Sequence, residues 1–405
     1  MNLERIYLDH AATTPLRTEV ADAMREAFPA ANYNPSSLHA EGRRARAVLE
    51  DARERVASLL GAARNEIIFT SSGTEADDLA LLGVARAAQR GAHVVTTAIE
   101  HHAITAALDE LADEGLETTV LPVDRDGRVD AAQFASALQP NTALASVMYA
   151  NNEVGTVQPI AELAAIARKR GVVFHTDAVQ APSWLSLDVR ELGVDLLSLS
   201  AHKCQGPKGV GLLYVRSGVP MGSILYGGGQ EFGRRPGTQN VAGIAGMARA
   251  LELAALERNE QSGRVAALRD RLETAICATI PDVRINGAEP RLANNLNVSF
   301  AGIESGMLLI ALDLCGIAVS AGSACTSGDL EPSHVLAAMA LESPWREGAI
   351  RFSLGVGTTA AQIDTVLGSL PRLVADLRRP TGQMRGEWVD SERTARGWRQ
   401  KLEQY

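Results

Sequence analysis

The chain of 405 residues carries 39 basic and 48 acidic side chains, a net charge of −9, with 46% hydrophobic and 21% charged residues. These values suit a globular protein with room for two domains and argue against a general nucleic-acid-binding face. No apolar run approaches the roughly 20 residues that span a bilayer, and the start, "MNLERIYLDHAATTP", lacks the basic-then-apolar order of a secretory signal. The expectation is a soluble cytoplasmic protein with no membrane partner and no direct nucleic-acid binding. The four cysteines, Cys204, Cys277, Cys315 and Cys325, form no C-x-x-C pair. That spacing argues against a disulfide framework or a zinc ribbon.

In chain order, "EGRRARAVLEDARERVASLLG" places apolar residues at helical spacing and ends on Gly61 as a helix C′ residue. "EIIFTSSGTEADDLALLGVARAAQRG" reads as strand, glycine turn and helix. "AHVVTTAIEHHA", "ALASVMYANNEVG", "GVVFHTDAVQ" and "VDLLSLSAHK" are short β-rich runs, several of them separated by helical stretches such as "PIAELAAIARKRG". Strand–helix alternation predicts a mostly parallel sheet with helices on both faces. A long helical stretch after Gly237 leads to "NNLNVSF", "SGMLLIALDLCG", a second strand "IAVSAG" and "AIRFSLG", the outline of a smaller α+β domain. The last stretch, "RRPTGQMRGEWVDSERTARGWRQKLEQY", is a highly charged extension.

Chemically capable groups gather at the carboxyl ends of the expected strands, where α/β proteins bind ligands. "TSSGTE" (70–75) offers backbone N–H groups and hydroxyls to an anion at a helix N-terminus, although Ser, Thr and Gly there are also an ordinary N-cap signal. "EHH" (100–102) closes another strand; with side chains one apart on opposite faces and no completing ligands, metal is not expected. One of the imidazoles stacked on a bound aromatic ring is the better use. Asp177 in "HTDAVQ" needs a cationic or hydrogen-bonding partner if buried, and a protonated pyridine nitrogen would serve. Gln180 lies within reach of a phenolic oxygen on the same ring. Lys203 in "SLSAHKCQGPKG" brings an amine to a strand end, the position of a Schiff-base lysine. Phosphate turn, stacking histidine, acid and lysine together are what a pyridoxal 5'-phosphate site requires. Finally, Cys325 in "VSAGSACTSGDLEPSHV" sits among small residues and glycines, the setting of a reachable nucleophilic thiol.

With these residues in hand, the chain resembles the cysteine desulfurases of the NifS/IscS type, among the fold type I pyridoxal phosphate enzymes of the class V aminotransferase family. The matching segments include "YLDHAATTP", "NPSSLHAEGRRA", "FTSSGTEADDLAL", "ANNEVGTVQPI", "HTDAVQ", "SLSAHKCQGPKGVG", "GGGQEFGRRPGT", "GSACTSGDLEPSHVL" and "AIRFSLG", in family order over residues 6–375. The resemblance implies a large cofactor-binding domain (14–255) with a mostly parallel seven-stranded sheet, a small domain (1–13 and 256–378) bearing the cysteine loop, and the extension 379–405. It implies Lys203 as the cofactor's covalent anchor, His101 stacked on the ring, and Asp177 and Gln180 at the ring nitrogen and oxygen. Gly73, Thr74, Ser200 and His202 would hold the phosphate, with Thr238 reaching the site of the other subunit of a homodimer. Asn152 and Arg351 would bind the carboxylate of L-cysteine. Cys325 would accept sulfur as a persulfide for delivery to an acceptor protein, in iron–sulfur cluster assembly, tRNA thiolation or another sulfur pathway, and could transiently ligate an iron–sulfur cluster. A selenocysteine lyase or aminotransferase of the same fold is the alternative; a sulfur-carrier binding module and a dinucleotide-binding dehydrogenase are weaker, the latter because no G-x-G-x-x-G follows the first strand. Three departures stand out: Cys204 and Gln205 replace a more usual aromatic or aliphatic pair, making Cys204 a candidate second thiol near the cofactor; Asp78 stands where asparagine is usual; and the tail after about residue 376 does not resemble the one that iron–sulfur scaffold-binding members use.

Overall fold

A computed structural model describes residues 5–88, 92–321 and 333–379. After a short strand β1 (Ile6–Tyr7) come helices α1 (Thr18–Ala31) and α2 (Ala40–Leu60). The helical spacing of α2 buries Ala45, Leu49, Ala52, Val56 and Leu60 on one face, and the helix stops where Gly61 turns left-handed at φ 68°. Next are β2 (Ile67–Thr70), α3 (Gly73–Ala87), β3 (His93–Thr97), α4 (His102–Asp113), β4 (Glu117–Leu121), α5 (Ala131–Ala137) and β5 (Thr142–Ser146). The alternation continues through α6 (Ile160–Lys169), β6 (Val173–Asp177), α7 (Val189–Leu192), β7 (Leu196–Ser200) and β8 (Gly211–Val215).

These strands form a seven-stranded sheet in the order β2-β8-β7-β6-β5-β3-β4. It is parallel from β7 to β4, while β8 runs antiparallel to both β7 and β2. Both faces are covered, because side chains alternate along each strand. Ile67, Phe69, Val95, Ala145 and Leu197 face a core shared with α2, α6 and the start of the next helix. Ile68, Val94, Leu144 and Leu196 face the opposite core, filled by α3 and α4. Each such fully buried aliphatic contributes about 1.5–3 kcal/mol of transfer free energy.

The stretch after Gly237 is one helix, α8 (Val241–Thr279), of 39 residues. Its first half, with Ile244, Met247 and Leu251, belongs to the core of the large sheet. Its second half, with Val265, Leu272 and Ile276, belongs to a separate core. That core is built on β9 (Val283–Asn286), β10 (Asn295–Phe300), α9 (Ser305–Leu314), β11 (Ile317–Ala318), α10 (His334–Ala338), β12 (Ala349–Ser353) and α11 (Ala360–Leu377). Its antiparallel sheet has the order β12-β10-β9. The expected strand "IAVSAG" is shorter than read: the strand covers Ile317–Ala318, which pair in parallel with β1, and Ser320 makes a single antiparallel bridge to Arg351. A partner some 300 residues away in sequence leaves no trace in local periodicity. Among the described residues no helix is long and apolar enough to cross a membrane.

Candidate active site

The carboxyl ends of the parallel strands open into a cavity of about 300 Å³. Gly73, Thr74, His101, Asn152, Asp177, Gln180, Ser200, His202, Lys203 and Arg351 all line it. Thr238 is exposed on the loop before α8 and is not part of this lining. Cys325 lies outside the described residues, as does the extension from 380 onward.

Lys203 ends a single 3-10 turn (Ala201–Lys203) that follows β7, so the buried strand delivers the amine straight to the cavity. Its Nζ donates to the carbonyls of Ala11 and Ala12 at 2.7 and 2.8 Å. Gln180 Nε2 donates to the same Ala11 carbonyl at 3.0 Å, and His202 Nδ1 lies 3.0 Å from Thr13 Oγ1. The N-terminal segment is therefore the seat against which three site residues are set. Burial and the adjacent Lys203 charge lower the His202 pKa to about 4.

Asp177 closes β6, buried, with Oδ1 accepting the Val179 N–H at 2.8 Å. Burial raises its pKa to about 6 against the Val179 hydrogen bond and the Lys203 charge. Glu100, behind the site, accepts from Thr97 Oγ1 (2.6 Å) and Met148 N (3.0 Å) at Oε1, and burial lifts it to about 8.

The two histidines are arranged differently from the strand-end reading. β3 stops at Thr97; His101 is the N-cap of α4 and His102 its first residue. His101 Nδ1 accepts the Ala103 N–H at 3.2 Å, which leaves the neutral ring's proton on Nε2. Burial, then the charges of Lys203, His102 and His334, lower its pKa to about 4. His102 instead packs its ring against His334 at 4.8 Å.

Arg351 reaches the cavity from β12. Buried, it donates to Asn152 O (3.0 Å) and to Asp9 Oδ1 (2.8 Å). Its backbone N–H donates to Ser320 O at 2.6 Å, and Ser333 Oγ donates to Glu153 Oε2 at 2.5 Å. Residues just before and just after 322–332 are thus fastened beside the cavity. Cys204 is not a second thiol at this site: it is buried in the large core, donates to Ala201 O at 3.3 Å, and lies outside the cavity lining. Burial pushes its thiol up to about 12, the opposite of an activated nucleophile.

Pyridoxal phosphate fits this chain's groups. At the start of α3 the first backbone N–H groups have no intrahelical acceptor. Ser72 Oγ accepts the Glu75 N–H (3.1 Å) as the ordinary N-cap, and Ser71 Oγ donates to the Glu75 carboxylate, so both hydroxyls are engaged within the turn while Gly73 and Thr74 face the cavity. A Cβ on Gly73 would come within 2.8 Å of Val179 Cγ2, so only glycine leaves this cradle open. The buried Asp177 suits a cationic ring nitrogen, and His101 presents a flat neutral ring.

Sequence reasoning missed Asp9, which holds Arg351, and the buried acids Asp77 and Glu100. Asp77 carried a faint signal: four residues after Gly73 and among Ala76, Ala80 and Leu81, it is an acid on the apolar face of α3.

Residues 6–366 match the family model described as class V aminotransferase. A cysteine desulfurase IscS from Dictyoglomus turgidum is 48% identical over 375 residues, 92% of this chain and 95% of that protein. Among solved structures, a NifS-like protein superposes with a TM-score of 0.86 at 37% identity, covering 92% of this chain and all of the other. SspA in complex with cysteine superposes at 0.76 with 33% identity, over 86% of this chain and 98% of that one. By descent as well as by architecture, then, the chain belongs to the class V aminotransferase family and, within it, to the cysteine desulfurases.

Proposed function

We propose that this protein takes sulfur from L-cysteine, leaving L-alanine, with pyridoxal 5'-phosphate as cofactor and Cys325 as first sulfur acceptor. The observation that carries the reading is the meeting of Lys203, Asp177, His101 and the N-terminus of α3 in one cavity. Cysteine as ligand is in keeping with the structural relative solved in complex with it.

Lys203 anchors the cofactor, Gly73, Thr74, Ser200 and His202 hold its phosphate, and Asp177 and Gln180 hold the ring nitrogen and ring oxygen. Bound there, the cofactor supplies an electron sink for charge developing at the substrate carbons. Arg351 and Asn152 bind the substrate carboxylate, which places Cα beside Lys203 Nζ. Lys203 Nζ moves the Cα proton, and neutral His101 exchanges a proton at Nε2 with the substrate thiol. The Cys325 thiolate then attacks the substrate sulfur. An S–S bond forms, the Cβ–S bond breaks with its electron pair left on carbon, and protonation of Cβ together with return of a proton from Lys203 to Cα completes alanine. The persulfide passes to an acceptor protein, in iron–sulfur cluster assembly, tRNA thiolation or another sulfur pathway, in the cytoplasm.

The same reading makes the protein a homodimer in which Thr238 completes the partner's phosphate site. It is supported by the exposure of Thr238 and by Arg235, whose Nε donates to Glu75 at 2.7 Å and ties this loop to the first turn of α3. We divide the chain near residue 255, where α8 passes from one core to the other.

The test mixes purified protein, pyridoxal phosphate, L-cysteine and a thiol reductant, and quantifies alanine and sulfide together. Equal amounts are expected, with both lost in Cys325→Ala while cofactor absorbance persists. Sulfide with pyruvate would make the protein a β-lyase, and an oxo acid without sulfide a transaminase.

A further inference from the structure

Behind Asp177 lies a second acid that the mechanism above does not use. Asp77 projects from α3, one turn past the phosphate cradle, lines the same cavity and is 1% exposed. Its Oδ1 has no hydrogen-bond partner. The groups facing it are few. From β6 comes His175, whose Nε2 is 3.7 Å from Asp77 Oδ1. That ring lies between Ser146 Oγ (2.8 Å from Nδ1) and Ser198 Oγ (2.9 Å from Nε2), and burial drives its pKa to about 3. Burial thus favours its neutral form, which supplies no counter-charge. From β7 comes Ser198, whose hydroxyl favours the charged form of the Asp77 carboxyl against its burial, and which stands in register with Asp177. The remaining charges are Asp177 on β6, Glu100 before α4 and Asp78 on α3 itself, all of them acids. Lys203, the cation of the site, acts on Asp177.

Buried acids this close, served by one lysine, cannot all ionise. We propose that Asp77 is a positioning residue for Asp177: it keeps its proton, so that Asp177 alone presents a negative charge to the cofactor's ring nitrogen, and it holds Ser198 beneath that carboxylate. This rests on the cofactor site proposed above. Burial, then Asp177, raise the Asp77 pKa well above the ordinary carboxylate range, in line with a retained proton.

The test compares wild type, Asp77→Asn and Asp77→Leu as purified holoproteins and apoproteins. Asparagine copies the neutral acid, so D77N should keep cofactor affinity and kcat/KM near pH 7 within about threefold of wild type. Wild-type bound-cofactor absorbance should change with pH as Asp77 ionises above the ordinary carboxylate range, and D77N should lose that transition. D77L should weaken cofactor binding by about tenfold or more while its apoprotein keeps a native circular-dichroism spectrum. A separate readout needs neither cofactor nor substrate. An acid with a raised folded-state pKa loses stability as pH rises above the ordinary carboxylate range, so apo D77N should gain Tm over apo wild type as pH is raised. A D77N holoprotein that folds but binds cofactor tenfold worse would overturn the proposal, since the ionised form would then be the one required. So would coincident pH profiles of D77N and wild type, or a D77L that binds cofactor as tightly as wild type. Because absorbance and apo stability involve no turnover, a wild type that fails to make alanine would refute the desulfurase reading and leave this test intact.

Discussion

The two principal sheets contribute to the cavity in opposite ways. The seven-stranded sheet delivers its groups as strand endings: Asp177 closes β6, Lys203 follows β7 by one turn, and Gly73 follows β2 after a two-residue turn. Parallel strands point their carboxyl ends one way, so their terminal residues converge without further instruction. The three-stranded antiparallel sheet sends Arg351 from within a strand, and that guanidinium is aimed by Asp9 and by the Asn152 carbonyl, each from another part of the chain. The large sheet therefore holds the proposed cofactor contacts on one rigid body. The smaller one offers a single substrate contact whose direction depends on its neighbours.

If that division is right, the largest effect comes from the large sheet. Lys203→Ala should lower kcat by at least about 10³-fold, the scale of a lost positioned base, and should abolish the absorbance of covalently bound cofactor. Next, Asp177→Asn should cost about 10²-fold in kcat, because a neutral amide cannot stabilise a protonated ring nitrogen. In wild type, affinity of the apoprotein for pyridoxal phosphate should rise with pH through about 6 as Asp177 ionises, and D177N should flatten that profile in a fluorescence titration. The opposite pattern belongs to the small sheet. Arg351→Lys should raise KM for cysteine by about tenfold or more while leaving cofactor absorbance alone, since an ammonium cannot reproduce a bidentate fork. A changed cofactor spectrum in R351K would break the comparison.

Gly73→Ala probes the cradle itself. Its new methyl would meet Val179 Cγ2 at 2.8 Å, so cofactor affinity should fall by about tenfold, and a Gly73→Ala/Val179→Ala double variant should recover part of the loss. The smallest effect on turnover is expected of Glu100→Gln, which keeps the Oε1 acceptor used by Thr97 and Met148. The Glu100 pKa is raised from 4.5 to about 8. The unfolded chain thus ionises first, and the folded state loses stability between those values. E100Q should remove that loss, gaining up to a few kcal/mol at pH 8 at about 1.4 kcal/mol per pKa unit, read as a higher Tm at pH 8 than wild type and little difference at pH 5.

Much of the cavity was legible because its residues sit at strand endings. A run such as "GVVFHTDAVQ" shows where burial stops, and the residues just past a buried strand of a parallel sheet face the ligand edge. His101 was legible as a site residue but not as a helix cap, since "TAIEHHA" continues the apolar character of β3 beyond its last paired residue, Thr97. Cys204 was read as a candidate second thiol because it replaces a more usual residue directly after Lys203, whereas the 3-10 turn at 201–203 folds its thiol back onto Ala201. Asp9 and Asp77 were passed over because each matters through a partner far away in sequence, Arg351 in one case and Asp177 in the other.

Periodicity and strand endings, both local properties, determined by themselves the α/β class, the position of Lys203 and Asp177 at one edge, and the helix N-terminus suited to phosphate. Tertiary structure alone decided which carbonyls seat Lys203, which carboxylate aims Arg351, and that the buried Asp77 feels the charge of Asp177. Those are questions of charge and hydrogen bonding across hundreds of residues. Their answers depend on desolvation and distance, which exist only once the sheets and α8 have packed.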